Sequence, residues 1–148
     1  MDIKIIKAPE LNRDAFYDLF IDWDRNHTFN RQAFEQSLNT IDDDINKIII
    51  AEEKNEYLGY AQITRSYHIG FEPYYEVAQL LVSETSRNKG IGKSIMLEIE
   101  GVAKSEGIFI LKLSSQIHRS KAHVFYENLG YEMNKVSKYY GKELRGKD

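Results

Sequence analysis

A chain of 148 residues, 42% hydrophobic and 29% charged, has the composition of one soluble globular domain spanning residues 1–148 and large enough to bury its own core. Its formal net charge of -3 argues against bulk nucleic-acid binding, and the absence of cysteine excludes disulfides, thiolate metal sites and a cysteine nucleophile. No apolar run reaches membrane-spanning length and the N-terminal MDIKIIKAPE lacks a signal-peptide core, so a cytoplasmic protein without membrane contact is expected.

In chain order, Ile3 to Lys7 alternates weakly and reads as a first strand ended by Pro9. Asn12 is placed to cap a helix with Ala15, Phe16, Leu19, Phe20 and Trp23 on its apolar face, and Asn30 a second with Phe34, Leu38 and Ile41 inward. Asp22, Asp24 and Asp42-Asp43-Asp44 read as solvated helix ends and a loop, the sharper alternative being an electrostatic lure for a cation. Lys47 to Glu52 and Tyr57 to Arg65 read as a hairpin with a tight turn at Lys54-Asn55. Gly59 interrupts its second strand, where glycine marks a bulge or a close backbone approach.

After an aromatic loop from Tyr67 to Pro73, Val77 to Val82 is an apolar run of the kind buried on both faces of a sheet. Arg87-Asn88-Lys89-Gly90-Ile91-Gly92 then leads into a helical stripe of Ile91, Ile95, Ile99 and Val102, widened by Met96 and Ala103. The first amides of a helix lack intrahelical partners and sit at the positive end of its dipole, so anions bind there. Gly90 and Gly92 clear space for such a group, Arg87, Lys89 and Lys93 add cationic donors, and a pyrophosphate fits. The spacing is neither that of a Walker loop nor that of the dinucleotide fingerprint.

Gly107 ends this helix, and Ile108 to Leu113 has strand character. A strand, helix, strand order requires a right-handed crossover, so the two flanking strands should be parallel. In Ser115 to Gly130, Ser120 caps a helix with Ala122, Phe125, Tyr126 and Leu129 on one face, and Gly130 ends it. Tyr131 to Met133 and Lys135 to Tyr140 read as two final antiparallel strands.

The glycine loop resembles the Gln/Arg-x-x-Gly-x-Gly/Ala loop of the GNAT superfamily of acyl-CoA-dependent N-acyltransferases. Ala122-His123-Val124-Phe125-Tyr126-Glu127-Asn128-Leu129-Gly130-Tyr131 resembles a second signature of that family, and the element order matches from end to end. The resemblance implies an α/β (α+β) fold, a mixed, mostly antiparallel seven-stranded sheet with four helices. In it the parallel fourth and fifth strands splay, and the pantetheine arm of acetyl-CoA enters the gap. Acetyl-CoA is the implied cosubstrate, with no metal. Arg87, Asn88, Lys89, Gly90, Ile91, Gly92 and Lys93 would cradle its pyrophosphate, while the backbone of Leu80, Leu81 and Val82 would pair with pantetheine. One of those N–H groups would serve as oxyanion donor.

The activity implied is transfer of the acetyl group to a primary amine of a small cationic metabolite or peptide, by direct attack in a ternary complex. Tyr126 occupies the position of the general acid that protonates the departing thiolate, the bland alternative being a packed helix-face tyrosine. Glu76 stands where histone-type relatives place a carboxylate base, or is simply an exposed strand-edge glutamate. Gln79 can orient an amine or water but cannot be a base, and His118 and His123 are imidazoles without metal-ligand company. Many relatives carry a cofactor-contacting Asn seven residues before the tyrosine; Arg119 stands there, with phosphate or an acidic residue in reach. For the acceptor the resemblance points to segments holding Trp23, Tyr67, Tyr74, Glu76 and Tyr139, together with Asp22, Asp24, His27, His68, Phe71 and Tyr140. Aromatics with carboxylates suit a cationic amine. No nucleic-acid partner is expected, and a homodimer is left open. The alternatives are a non-catalytic acyl-CoA-binding sensor and a protein-interaction module.

Overall fold

In the computed structural model, which describes residues 1–24, 26–115 and 120–146, the alternating apolar segments of the first hundred residues assemble into one twisted layer. The chain divides into two units, Met1–Ser114 and Ser115–Asp148. In the first, β1 (Asp2–Ile6), β2 (Asn46–Glu53), β3 (Glu56–Ser66) and β4 (Tyr74–Val82) pair antiparallel in that order. β5 (Leu111–Lys112) adds parallel to β4, as the crossover rule requires. Lys54 and Asn55 close the β2–β3 hairpin with φ of 51° and 65°, the left-handed pair that matches strand twist in a two-residue loop.

The three helices of this unit begin where side chains or glycine free the backbone to turn. Asn12 caps α1 (Arg13–Trp23) by accepting from the Ala15 amide, and Asn30 caps α2 (Arg31–Thr40) by accepting from Ala33, each at 3.1 Å. Phe16, Leu19 and Leu38 bury against Ile48, Ile50, Tyr57, Tyr60 and Leu81 on one face of the sheet. The alternate strand positions Ile49, Ala51, Ala61 and Ile63 face α3 (Ile91–Ser105), whose stripe of Ile91, Ile95, Met96, Ile99, Val102 and Ala103 is buried as its spacing demands. No helix among the described residues is long and apolar enough to cross a membrane.

Two bulges set the register. Between β2 and β3 the partners step from Ala51–Gly59 to Glu52–Tyr57, leaving Leu58 as the extra residue. Between β3 and β4 they step from Gln62–Gln79 to Ile63–Val77, leaving Ala78 extra. Gly59 is also a close approach: a Cβ there would lie 3.0 Å from both Ile91 Cγ2 and Ile95 Cδ1 and 3.2 Å from the Leu81 carbonyl oxygen. The start of α3 therefore packs on the bare backbone of β3.

Gly107 (φ 73°) ends α3 in a Schellman turn, its amide donating to Lys104 O and the Ile108 amide to Ala103 O. That use of Ile108 takes the first residue of the apolar run Ile108 to Leu113 into the helix stop, and β5 is confined to Leu111 and Lys112. In the second unit α4 (Ser120–Asn128) ends in the same way, with Gly130 at φ 91°, its amide bonded to Glu127 O and the Tyr131 amide to Tyr126 O.

The seven-stranded expectation is corrected here. Tyr131 to Met133 and Lys135 to Tyr140 form no strand, and the sheet among the described residues has five. Alternation alone does not make a strand without a partner ladder to satisfy its amides. Met133, Val136, Tyr139 and Tyr140 are instead 69% or more exposed, so these side chains gain little from burial.

Candidate active site

The site is built from β4 outward. Beyond Val82 the chain is pinned by buried Ser83, whose amide donates to Leu58 O at 2.9 Å, and by buried Ser86, whose amide donates to Ser83 O at 3.0 Å. Asn88 and Gly90 then both adopt left-handed backbone, with φ of 64° and 78°. Gly90 caps α3 without any side-chain hydrogen bond. The helical ladder opens with the Ser94 amide on Gly90 O at 3.0 Å, so the amides of Ile91, Gly92 and Lys93 precede it and remain available to an anion. Lys89 and Lys93 are exposed and form no ion pair among the described residues. Arg87, expected at the same anion, instead donates from Nη2 to Trp23 O at 2.9 Å. The cation thus satisfies a carbonyl at the C-terminal end of α1 and ties that helix to the loop.

Along β4, pairing to β5 stops after Tyr75–Leu111 and Glu76–Lys112. From there the edge facing β5 has no ladder partner among the described residues, past Leu80, Leu81 and Val82. The other edge of these three residues is paired to Ala61, Tyr60 and Gly59. Half-used backbone in a partly buried strand is costly unless a ligand completes it. Behind the paired end, on the α3 side, buried Tyr75 donates its hydroxyl to Glu106, which also accepts from Arg65 Nη2 at 2.8 Å. Burial first, and the Glu106 bond second, push the Tyr75 phenol above its ordinary range.

The opposite face of the same strands changes character along its length. Next to the loop it is covered by α1 and α2, and Tyr60 packs edge-on to Phe16 at 4.7 Å. Away from the loop the positions sharing that face are Gln62, Thr64, Gln79, Glu76 and Tyr74, paired as Gln62–Gln79, Thr64–Glu76 and Ser66–Tyr74. Asn46 of β2 joins them, its Oδ1 accepting from Gln62 Nε2 at 3.0 Å and Thr64 Oγ1 at 2.8 Å while its Nδ2 donates to Asp42 O at 3.0 Å. The Tyr60 hydroxyl donates to Gln79 Oε1, and Gln62 Oε1 lies 3.5 Å from it. Burial holds the Tyr60 phenol far above its usual range, so it remains a donor throughout neutral and mildly alkaline conditions.

Of the residues expected at an acceptor, Tyr74 and Glu76 lie together on this open face. Lys112 Nζ stands 4.3 Å from the Tyr74 ring centroid, and the His68 ring meets that of Tyr74 edge-on at 5.5 Å between centroids. Glu76 is exposed and has no hydrogen bond or ion pair among the described residues of its unit. Trp23 is held at the loop by the Arg87 bond, at the other end of β4, and Tyr67 is exposed with its hydroxyl 3.5 Å from Arg65 Nη1. Tyr126, Tyr139 and Arg119 belong to the second unit. There Tyr126 is half-buried and meets Phe125 at 5.1 Å and Tyr131 at 6.2 Å, Tyr139 is exposed, and Arg119, like His118, lies outside the described residues. The row of Asn46, Tyr60, Gln62 and Thr64 escaped sequence reasoning. Its signal was the same-face spacing of Tyr60, Gln62 and Thr64 in a strand whose other face holds Gly59, Ala61 and Ile63.

Comparison with known proteins adds an independent line. The family model described as Acetyltransferase (GNAT) family matches residues 9–131. The uncharacterized N-acetyltransferase YhfO of Bacillus subtilis (strain 168) is 31% identical over 86 residues, a match spanning 57% of this chain and 58% of that protein. Among solved structures, an integron cassette protein from V. cholerae has a TM-score of 0.79 at 20% identity, with 96% of this chain and 91% of that one covered. AAC(6')-Iy in complex with the bisubstrate analog CoA-S-monomethyl-acetylneamine has a TM-score of 0.75 at 17% identity, with 96% and 97% covered. At these identities the two structures establish likeness of fold.

Proposed function

Since this chain belongs to the acetyltransferase (GNAT) family, we propose that it transfers the acetyl group of acetyl-CoA to a primary amine of a small cationic molecule or peptide, by direct attack in a ternary complex. The observation that carries this reading is the continuity of the unpaired β4 edge at Leu80–Val82 with the uncapped start of α3 at Gly90. A ligand with amides at one end and a pyrophosphate at the other suits both. The amides of Ile91, Gly92 and Lys93 receive the phosphates, with Lys89 and Lys93 as counter-cations. Leu80 to Val82 pair with the pantetheine arm, and an N–H of this edge polarises the thioester carbonyl and holds the oxyanion.

Glu76, exposed at the paired end of β4, binds the ammonium and takes its proton. The amine nitrogen then forms its bond to the acetyl carbon, the carbon–sulfur bond breaks, and the thiolate takes a proton. Tyr126 is proposed as the source of that proton on the strength of its motif, and Tyr126→Phe tests it through the loss of thiol release. The aminoglycoside N-acetyltransferase among the similar folds makes aminoglycosides a first set of amines to screen.

Thermal-shift titration with acetyl-CoA and free CoA, beside ADP and NAD, tests the reading. A ligand at about 100 times its Kd stabilises the fold by roughly 2.7 kcal/mol. Stabilisation by both coenzyme forms well above that by ADP or NAD, followed by thiol release with cationic but not neutral acceptors, is the expected result. Absence of any shift with CoA overturns it.

A further inference from the structure

The hydrogen bonds of the polar face run in one direction. A backbone carbonyl can only accept, so Asp42 O fixes Asn46 with its Nδ2 toward it and its Oδ1 toward Gln62 and Thr64. Gln62 must then donate from Nε2, which turns its Oε1 toward Tyr60. The single Tyr60 proton goes to the closer oxygen, that of Gln79. Asn46 and Gln62 are thus oriented from Asp42, while the Tyr60 hydroxyl orients Gln79, whose carbonyl is occupied and whose Nε2 is turned away from Tyr60. Among the described residues that Nε2 has no partner, and Gln79 is exposed.

Glu76 and Gln79 share this face, since their β3 partners Thr64 and Gln62 are two residues apart. That separation is about 7 Å along the strand. A small molecule can therefore reach a carboxylate acceptor and an amide donor at once. A bare alkylamine would use the first and leave the second unmatched.

We infer that Gln79 Nε2 is a specificity-determining donor of the acceptor site, and that the acceptor is an amine carrying an oxygen acceptor, such as a hydroxyl or carbonyl, a few bonds from its nitrogen. Tyr60 acts through Gln79 and is a positioning residue. The inference rests on the acetyltransferase reading and narrows its substrate class.

The test uses the full chain saturated with CoA and two probes matched in size, ethanolamine and n-propylamine. The Gln79 side-chain NH2 resonance, assigned by its loss in Gln79→Met, is followed in a 15N-labelled sample, and kcat and KM are measured with acetyl-CoA. Ethanolamine should move that resonance and propylamine should leave it in place, with kcat/KM favouring ethanolamine about 10-fold, the range of one net hydrogen bond. In Gln79→Met and in Tyr60→Phe the preference should collapse toward parity through KM for ethanolamine, whereas a purely structural role would lower both amines alike. A Gln79 resonance that ignores both amines, or answers both equally, overturns the proposal while leaving the acetyltransferase reading intact. Failure of CoA itself to stabilise the protein is a different signal and removes the reading on which it rests.

Discussion

The two ends of the α1/α2 face of the sheet are made by the same strands and obey the same two-residue alternation, yet one is an apolar core and the other a polar face. At the loop end, Ile48, Ile50, Tyr57, Tyr60 and Leu81 are sealed under Phe16, Leu19 and Leu38. At the far end, Asn46, Gln62, Thr64, Glu76 and Gln79 occupy equivalent positions outside the cluster that α1 and α2 seal, and Asn46 accepts from both Gln62 and Thr64. Tyr60 belongs to both, its ring among Phe16 and Phe20 and its hydroxyl on Gln79. The lesson is that the orientation of the polar row's last amide derives from the core: the ring that packing immobilises carries the hydroxyl that orients Gln79.

Breaking the core end should have the largest effect on stability. Phe16, 2% exposed and in ring contact with Phe20, Phe34, Tyr57 and Tyr60, leaves a cavity on truncation. Phe16→Ala should cost about 3–5 kcal/mol in denaturant unfolding. Gly59→Ala comes next, at about 1–3 kcal/mol, because the added methyl meets Ile91, Ile95 and a backbone carbonyl within 3.2 Å. A circular-dichroism urea titration with an unchanged midpoint would show that β3 and α3 are not in such close contact.

Tyr60→Phe keeps the ring and removes the hydroxyl, so it separates the two ends; about 0.5–1.5 kcal/mol should be lost at neutral pH. Its pH dependence has a defined sign. The folded phenol is raised, so the unfolded chain ionises first, and the stability owed to neutral Tyr60 is held below the ordinary phenol range and lost as pH rises through it toward the folded value. Tyr75 shifts in the same direction. Urea midpoints between about pH 8 and about pH 11 should fall for the native chain and fall less steeply for Tyr60→Phe. Equal slopes would contradict the burial of that hydroxyl. Glu76→Gln should be nearly silent in stability, within about 0.5 kcal/mol, yet lower acetyl transfer about 100-fold or more. Unchanged turnover would return Glu76 to the role of a surface residue.

What was legible in the sequence was local. Asn12 and Asn30 cap their helices, the α3 stripe is the buried one, and Gly59 is both beside a bulge and under a helix, because each depends on neighbours within a turn or on the absence of a Cβ. The glycine turn into α3 was legible, but not the engagement of Arg87 with Trp23 O, which links residues 64 apart in the chain. The polar row was not legible, because which β3 residue faces Gln79 depends on the bulge at Ala78, and a register shift of one residue moves a side chain to the other face. The two final strands failed for a related reason: alternation in Tyr131 to Tyr140 says nothing about a partner edge.

The most direct test of the division between coenzyme edge and acceptor face is 1H–15N chemical-shift mapping of the full chain on addition of CoA. The amides of Leu80 to Val82 and of Asn88 to Lys93 should shift together and saturably, while those of Asp2 to Ile6 in β1, at the other edge of the sheet, stay in place. Shifts scattered away from β4 and the α3 start, or none at all at saturating CoA, would contradict the account.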